Sequence, residues 1–374
     1  MIYLDSAATS LLKPPEVYTA VNSAMRSMAS PGRGAHRAAM LAADKVYECR
    51  ELAASLFGFD DPEGVVFTLN ATHALNIAIR SIVKAGDRVL ISGYEHNSVT
   101  RVLNDIGAEV TVCAAELFDA RGVYKAFERE IARADAVICN HVSNVFGFIQ
   151  PVNEIAELCR LYKVPFILDA SQSAGASGLD CKKLNAAYIA MPGHKGLMGP
   201  QGTGILLCSS EAKPFMCGGT GSDSFLQDMP DYLPDRLEAG THNVPGIAGL
   251  AEGIKYILKA GADNIGAYEA ELCSVMADRL RQIDGLEVFY GSRETQAGVL
   301  SFRHSSLDPE TVCAGLGRAG IAARCGMHCS PLAHNTAGTA DTGTVRFSFS
   351  PLISRKQVMT AASVLERQLR SGVF

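Results

Sequence analysis

The pattern of apolar and polar positions changes a little beyond the middle of the chain. From about residue 35 to residue 208, short β-branched runs alternate with segments whose apolar residues recur at the spacing of one helix face. Such alternation predicts a mostly parallel sheet that is covered on both faces by crossover helices. The predicted strands of this stretch are 65–68, 89–92, 109–112, 136–139, 165–168 and 204–208.

After residue 208 the pattern is different. The stretch 217–240 is Gly-rich and acidic and shows no clear period. Strands and helices then follow in groups, which favours a smaller α+β domain with a boundary in the 250s. The predicted elements are a helix near 263–283, strands at 286–289, 299–302 and 344–347, and helices after Pro309 and from about Ser354.

Charge and composition narrow the class of protein. The 374 residues include 34 Lys and Arg against 39 Asp and Glu, and the resulting net charge of −5 argues against nucleic acid as the primary partner. We find no signal-like start and no apolar run long enough to span a bilayer, so we expect a cytoplasmic protein without a membrane partner. Its 11 cysteines are then reduced, and most are expected to fill the core.

Polar residues follow several predicted strands, at the edge where parallel sheets bind their ligands. The Thr72 hydroxyl and nearby N–H groups at a helix start could hold an anion, or they could simply cap the helix. His96 could stack on a ring or cap the next helix. Asp169 ends a buried strand, and such a carboxylate requires a cation, a metal or several hydrogen-bond donors.

Two further segments carry nucleophiles. Lys195 is flanked by glycines and apolar residues, and desolvation would lower the pKa of its amine and suit it to Schiff-base chemistry; a surface loop lysine is the alternative. Arg324 and His328 would favour ionisation of a reactive Cys329, although Cys325 and Cys329 could instead be core residues. These residues lack a second cluster at metal-ligand spacing, so we expect no metal.

In their order along the chain, these motifs resemble the class V aminotransferase group of pyridoxal-phosphate enzymes, fold type I, and within it the cysteine desulfurase and selenocysteine lyase family. The resemblance covers nearly the whole chain. The segments that carry it are Tyr3-Leu4-Asp5-Ser6-Ala7-Ala8-Thr9, Glu95-His96-Asn97, Asn144, Asp169-x-x-Gln172, Gly193-His194-Lys195, Glu238-Ala239-Gly240-Thr241, His328-Cys329 and Arg346.

The resemblance implies a domain organisation and a set of cofactor contacts. It implies a large α/β domain over 12–255 with a mostly parallel, seven-stranded type of sheet, and a small α+β domain formed by 1–11 with 256–374. Lys195 would hold pyridoxal 5′-phosphate covalently, and Asp169 would keep the pyridine nitrogen protonated so that the ring acts as an electron sink. His96 would stack on the ring, and Gln172 would donate to its phenolic oxygen.

The same resemblance implies how phosphate and substrate are bound. Ala71, Thr72 and His194 would hold the phosphate, together with Thr241 from a second subunit of a homodimer. Arg346 and Asn144, which also belongs to the cofactor site, would bind the substrate carboxylate. Arg324 and His328 complete the substrate site implied by the resemblance, and Lys195, Cys329 and His96 are its catalytic residues.

The implied activity is cleavage of the C–S bond of L-cysteine, with L-alanine and a persulfide on Cys329 as products. Selenocysteine lyase is the alternative because it uses the same cofactor set, and either activity implies an acceptor protein for sulfur or selenium. A non-catalytic binding or regulatory protein of this fold is less favoured, since Lys195, Asp169, Cys329 and Arg346 are all present. Pro192, which cannot donate to a phosphate, and Cys325, a resolving thiol or an inert one, depart from the family pattern.

Overall fold

The computed structural model describes residues 1–32 and 34–372, and its strands form three sheets of seven, four and two strands within those residues. The strands are, in chain order, Ile2–Tyr3 (β1), Val65–Thr68 (β2), Arg88–Ser92 (β3), Glu109–Cys113 (β4), Ala136–Asn140 (β5), Phe166–Asp169 (β6), Tyr188–Pro192 (β7), Gly204–Cys208 (β8), Leu286–Phe289 (β9), Val299–His304 (β10), Ile321–Ala322 (β11), Arg324–Gly326 (β12) and Thr344–Ser348 (β13).

Helices fill most of the connections between these strands. None of those in the described residues is both long and apolar enough to cross a membrane. In chain order they are Pro15–Ser27 (α1), Arg37–Phe57 (α2), Ala71–Ile82 (α3), Asn97–Ile106 (α4), Ala120–Glu130 (α5), Val152–Tyr162 (α6), Cys181–Leu184 (α7), Val244–Ala260 (α8), Ala262–Leu280 (α9), Pro309–Arg318 (α10), Pro331–Ala337 (α11) and Arg355–Ser371 (α12).

The seven-stranded sheet has the order β2-β8-β7-β6-β5-β3-β4. Its strands are parallel from β7 through β6, β5 and β3 to β4, and only β8 is antiparallel to its neighbours β2 and β7. Apolar side chains cover both faces: Val137 and Cys139 belong to one core cluster, and Ala136 and Ile138 belong to the cluster on the other face. The mostly parallel α/β sheet that the sequence predicts is therefore confirmed.

Four central strands of this sheet end at one edge. Asn140, the last residue of β5, lies beside Asp169, the last residue of β6, and Asp169 lies beside Ala190 of β7. Because parallel strands end together, the loops that follow Ser92, Asn140, Asp169 and Pro192 meet above this edge.

The four-stranded sheet, of order β12-β13-β10-β9, is antiparallel and forms a second core with α9, α10 and α12. The N-terminal segment joins this part, since β1 pairs with β11 and Asp5 forms a bridge with Ser348. The α+β character expected for the C-terminal third is present, and α9 lies close to the helix predicted at 263–283.

Candidate functional site

A cavity of about 210 Å³ lies above the carboxyl edge of the large sheet. Its walls come from the start of α3, from the loops after β3, β5, β6 and β7, and from β12, β13 and the turn that carries Cys329. Twelve of the thirteen predicted site residues line it, namely Ala71, Thr72, His96, Asn144, Asp169, Gln172, His194, Lys195, Arg324, His328, Cys329 and Arg346.

Asp169 is 4% exposed at the floor of this cavity. Its Oδ1 accepts a hydrogen bond from the Ser171 N–H at 2.9 Å, and within the described chain no donor bonds its second oxygen. A buried carboxylate with one free oxygen is costly unless a cation or donor meets it. The cavity therefore presents an acceptor to whatever fills it.

Lys195 lies in a turn in which the backbone is closely packed at Gly193, two residues before it, and at Gly196, directly after it. A Cβ on Gly193 would stand 2.1 Å from the Thr203 hydroxyl, and one on Gly196 would stand 2.3 Å from the Ala174 carbonyl oxygen. Burial lowers the pKa of the Lys195 amine to about 8, although the Asp169 carboxylate opposes that change. Lys195 is thus not an ordinary surface lysine, and a large fraction of its amine is neutral near pH 8.

The start of α3 is open toward the cavity. Asn70 caps the helix by accepting the His73 N–H on its side-chain oxygen at 2.9 Å. The N–H groups of Ala71 and Thr72 bond no acceptor in the described chain, and both residues line the cavity. A helix N-terminus with free N–H groups is suited to an anion, so Asn70 both caps the helix and leaves the anion site open.

His96 caps α4, one of the two roles that the sequence left open, and it also lines the cavity. Its Nδ1 accepts the Ser98 N–H at 3.0 Å and lies 2.7 Å from the Ser98 hydroxyl, which in turn lies 3.0 Å from the Thr72 hydroxyl. Burial lowers the pKa of His96 to about 4, so the ring is neutral at pH 7. Ser98 was not predicted, although its place next to a helix cap could have suggested it.

His194 lines the cavity next to the N-terminal segment, and Lys13 of that segment is close enough for its charge to act on His194. The His194 Nδ1 is 3.1 Å from the Thr9 hydroxyl, and burial lowers the pKa of this histidine to about 4. The Lys13 amine donates to the Ser10 hydroxyl at 2.8 Å, and burial lowers its pKa to about 8. This second perturbed lysine was not predicted, because its burial depends on how the folded chain packs around it.

Two guanidinium groups face the cavity from neighbouring strands. Arg346 on β13 lies opposite Arg324 on β12. Arg346 is 2% exposed and donates to Asp5 Oδ1 at 2.7 Å and to the Asn144 carbonyl at 2.9 Å, whereas its Nε is buried without a partner. A donor left free in this way, beside a second cation, suits an anionic group such as a carboxylate.

The turn that carries Cys329 is held by hydrogen bonds from three sides. His328 and Cys329 both have left-handed backbones, with φ of 48° and 58°. The Asn97 N–H donates to the Cys329 carbonyl at 2.9 Å, and the Asn144 amide bonds the His328 carbonyl and the Ser330 hydroxyl. Cys329 is therefore fixed at the rim of the cavity, where it is exposed.

The expectation that His328 favours ionisation of Cys329 by a positive charge is wrong. Burial lowers the pKa of His328 to about 2, with Arg346 as the next cause, so the imidazole is neutral. Its Nε2 lies 3.2 Å from the Thr344 carbonyl and hydroxyl. Of the two residues predicted to favour ionisation of Cys329, Arg324 is the one that supplies a positive charge to the cavity.

Thr241 does not line this cavity. It is exposed and lies with Glu238 at a separate hollow of about 70 Å³. The Glu238 carboxylate is tied to Arg50, to the Phe67 N–H and to His242, so this part of the motif holds two segments of the chain together. That structural role was not predicted.

Comparisons with known proteins agree with the fold. The family model described as Aminotransferase class-V matches residues 2–360, and the chain belongs to this family of pyridoxal-phosphate-dependent enzymes. Among its relatives, a probable cysteine desulfurase of Pyrococcus abyssi is 34% identical, with 99% of this chain and 95% of that protein covered. A probable cysteine desulfurase of Methanothermobacter thermautotrophicus is 32% identical, over 98% and 94% of the two chains.

Solved structures show the same likeness. The apo structure of the cysteine desulfurase from Thermococcus onnurineus NA1 superposes with a TM-score of 0.90 at 31% identity, with 99% of this chain and 95% of that chain covered. The cysteine desulfurase CsdA from Escherichia coli has a TM-score of 0.85 at 24% identity over 99% and 94% of the two chains, which is a likeness of fold. The predicted fold type I architecture is thereby confirmed.

Proposed function

We propose that this chain is a cysteine desulfurase that uses pyridoxal 5′-phosphate to convert L-cysteine into L-alanine and leaves the sulfur as a persulfide on Cys329. The observation that carries the proposal is the sharing of one cavity by a lysine with a lowered pKa, an exposed cysteine and a buried guanidinium with a free Nε. The names of the relatives support the same activity.

The residues of the cavity fit the cofactor. The free oxygen of Asp169 would meet the pyridine nitrogen, and the open N–H groups of Ala71 and Thr72 would meet the phosphate. His96 is neutral and could cover the ring, while Lys195 would hold the aldehyde carbon. When bound, the cofactor supplies an electron sink for charge that develops at the substrate Cα.

The chain's own residues then have separate tasks. Arg346, through its free Nε, and Arg324 bind the substrate carboxylate. Once the substrate amine has displaced it, the released and neutral Lys195 amine would accept the proton from Cα. The Cys329 thiolate attacks the substrate sulfur, so an S–S bond forms as the C–S bond breaks, and reprotonation of the carbon fragment completes alanine.

The proposal also includes the two domains predicted from the sequence, a large one over 12–255 and a small one formed by 1–11 with 256–374. It further includes a cytoplasmic location and a homodimer. The position of Thr241 supports the dimer. Because Thr241 lies outside the cavity and is exposed, it would reach a phosphate only in the site of a second copy of the chain. An acceptor protein would then take the sulfur from the exposed Cys329.

The test compares alanine formation from L-cysteine and from L-selenocysteine in the presence of a thiol reductant. We expect wild type to release alanine from L-cysteine, Lys195→Ala to release none, and Cys329→Ala to lose cysteine turnover. Cys217→Ala, which removes another exposed cysteine outside the cavity, is the matched control and should behave as wild type. Turnover of selenocysteine alone would overturn the proposal in favour of selenocysteine lyase.

A further inference from the structure

Cys325 and Cys313 come together on the side of β12 that faces away from the cavity. Side chains alternate along a strand, and Arg324 lines the cavity, so the next residue, Cys325, is directed to the opposite face. That face packs against α10, which carries Cys313. Cys325 lies opposite Val345 in the sheet, and Val345 shares a core cluster with Val312, the residue next to Cys313. Both cysteines are half-buried and unbridged.

We propose that Cys313 and Cys325 form a thiol modification site, in which a low-molecular-weight disulfide such as oxidised glutathione converts the pair into an intramolecular disulfide. The site is distinct from Cys329 and does not depend on desulfurase activity. Cys325 is then not inert, and its redox partner is Cys313.

Cys313 is the less reactive thiol of the pair's first step. Burial, followed by the neighbouring Cys325, raises the pKa of the Cys313 thiol, so Cys313 stays protonated and does not attack first. The exchange therefore begins at Cys325. Cys325 is half-buried, whereas Cys49 and Cys273 are enclosed in the core.

Two thiol–disulfide exchanges form the protein disulfide. The Cys325 thiolate attacks one sulfur of the oxidised glutathione, which forms a mixed disulfide and releases one glutathione thiolate. The Cys313 thiol then loses its proton and attacks the Cys325 sulfur, which forms the protein disulfide and releases the second glutathione. Once Cys325 is in the mixed disulfide it carries no charge, so one cause of the raised Cys313 pKa is removed before the second exchange.

The pair lies where a covalent link would reach the active site. Helix α10 would be tied to β12, the strand that carries Arg324 and leads directly into the turn with His328 and Cys329. Cys313 is also close enough to Asp5 and Arg346 for their charges to affect its thiol. The modified form would thus stiffen the wall that carries the guanidinium groups without using the nucleophile.

The experiment incubates the full-length protein with oxidised glutathione, alkylates the remaining thiols, digests without reductant and maps the peptides by mass spectrometry. We expect a peptide pair joined through Cys313 and Cys325, lighter by two hydrogens than the separate peptides and reversed by dithiothreitol. Cys329→Ala should still form this pair, as should the control Cys181→Ser, which removes another half-buried cysteine. Cys313→Ser should instead leave glutathione attached to Cys325.

Two results would overturn the proposal. One is a disulfide between Cys325 and Cys329, which would make Cys325 a partner of the nucleophile. The other is alkylation of both Cys313 and Cys325 in wild type under conditions in which exposed Cys217 has been modified by glutathione. Both readouts come from wild type, so they remain decisive even if a substitution impairs folding.

Discussion

The side-chain amide of Asn144 donates a hydrogen bond to the main-chain carbonyl of His328 at 2.8 Å, across 184 residues of sequence. Its oxygen accepts the Ser330 hydroxyl at 2.7 Å, so both neighbours of Cys329 are bound by one side chain. Residues with left-handed backbones persist where their surroundings hold them, and His328 and Cys329 are two such residues. Asn144 therefore positions Cys329, and this role is separate from its proposed role in substrate binding.

Replacing Asn144 by alanine should release this turn. The His328 carbonyl and the Ser330 hydroxyl would lose their buried partner, and we expect the free energy of unfolding to fall by about 1–3 kcal/mol in urea denaturation. We also expect kcat for L-cysteine to fall at an assay temperature at which Asn144→Ala is still folded. Ser330→Ala removes only one of the bonds and is the milder control; equal activity of Asn144→Ala and wild type would contradict the positioning role.

Arg346→Lys should weaken substrate binding while it keeps the positive charge beside Asp5. A lysine has no guanidinium fork, so the Nε donor that is free in the protein would be lost. Hydrogen bonds to charged groups are worth about 1.5–3 kcal/mol, which corresponds to a rise in KM for L-cysteine of about 10-fold to 100-fold. Steady-state kinetics would measure it.

Arg324→Ala is the comparison for that variant. Arg324 lies opposite Arg346 but is exposed, so its contribution is screened by solvent and the rise in KM should be smaller. If Arg324→Ala had the larger effect, the carboxylate would bind at the outer guanidinium instead of the buried one.

Lys195 should be unusually reactive in the cofactor-free protein. Burial lowers the pKa of its amine to about 8, whereas an ordinary lysine titrates near 10.4. Competitive labelling with trace acetic anhydride, followed by mass spectrometry of the Lys195 peptide, should show labelling that rises with pH and reaches half its plateau near pH 8. A midpoint above pH 10 would show that burial does not perturb this amine.

Much of the site was predictable because its chemistry follows the ends of parallel strands. Asp169 lies at the end of one predicted strand, and His96 lies in the loop after another. Parallel strands bring their carboxyl ends to one edge of the sheet. Lys195 was predictable for a different reason, since its flanking glycines indicate close backbone approach, which the structure shows at Gly193 and Gly196. Local sequence patterns carry both signals.

The remaining features depend on contacts between residues that are distant in sequence. Asp5 bonds Arg346 across 341 residues, and Arg50 bonds Glu238 across 188. No periodicity or motif spacing encodes such pairs, because each forms only when two separately folded segments pack together. The neutral state of His328 is of the same kind, since it follows from burial and from the nearby Arg346.

Glu95 should make the stability of the protein depend on pH. It is fully buried, accepts hydrogen bonds from the Ser92 hydroxyl and the Asn140 N–H, and precedes His96. Burial raises the pKa of its carboxyl from 4.5 to about 8, and the charge of Asp169 acts in the same direction. The carboxyl is therefore protonated in the folded protein and ionised in the unfolded chain between those two values.

The folded state then binds one proton more than the unfolded state, so the contribution of Glu95 to the free energy of unfolding falls as pH rises from 4.5 to 8. Glu95→Gln cannot ionise and should lose this decline, so it should gain stability relative to wild type as pH rises, by at most about 1.4 kcal/mol per pH unit. Urea denaturation at pH 5, 6.5 and 8 measures the difference. Glu63→Gln, at an exposed position, controls for the loss of one negative charge. A constant difference between Glu95→Gln and wild type across these three pH values would mean that Glu95 is ionised in the folded protein.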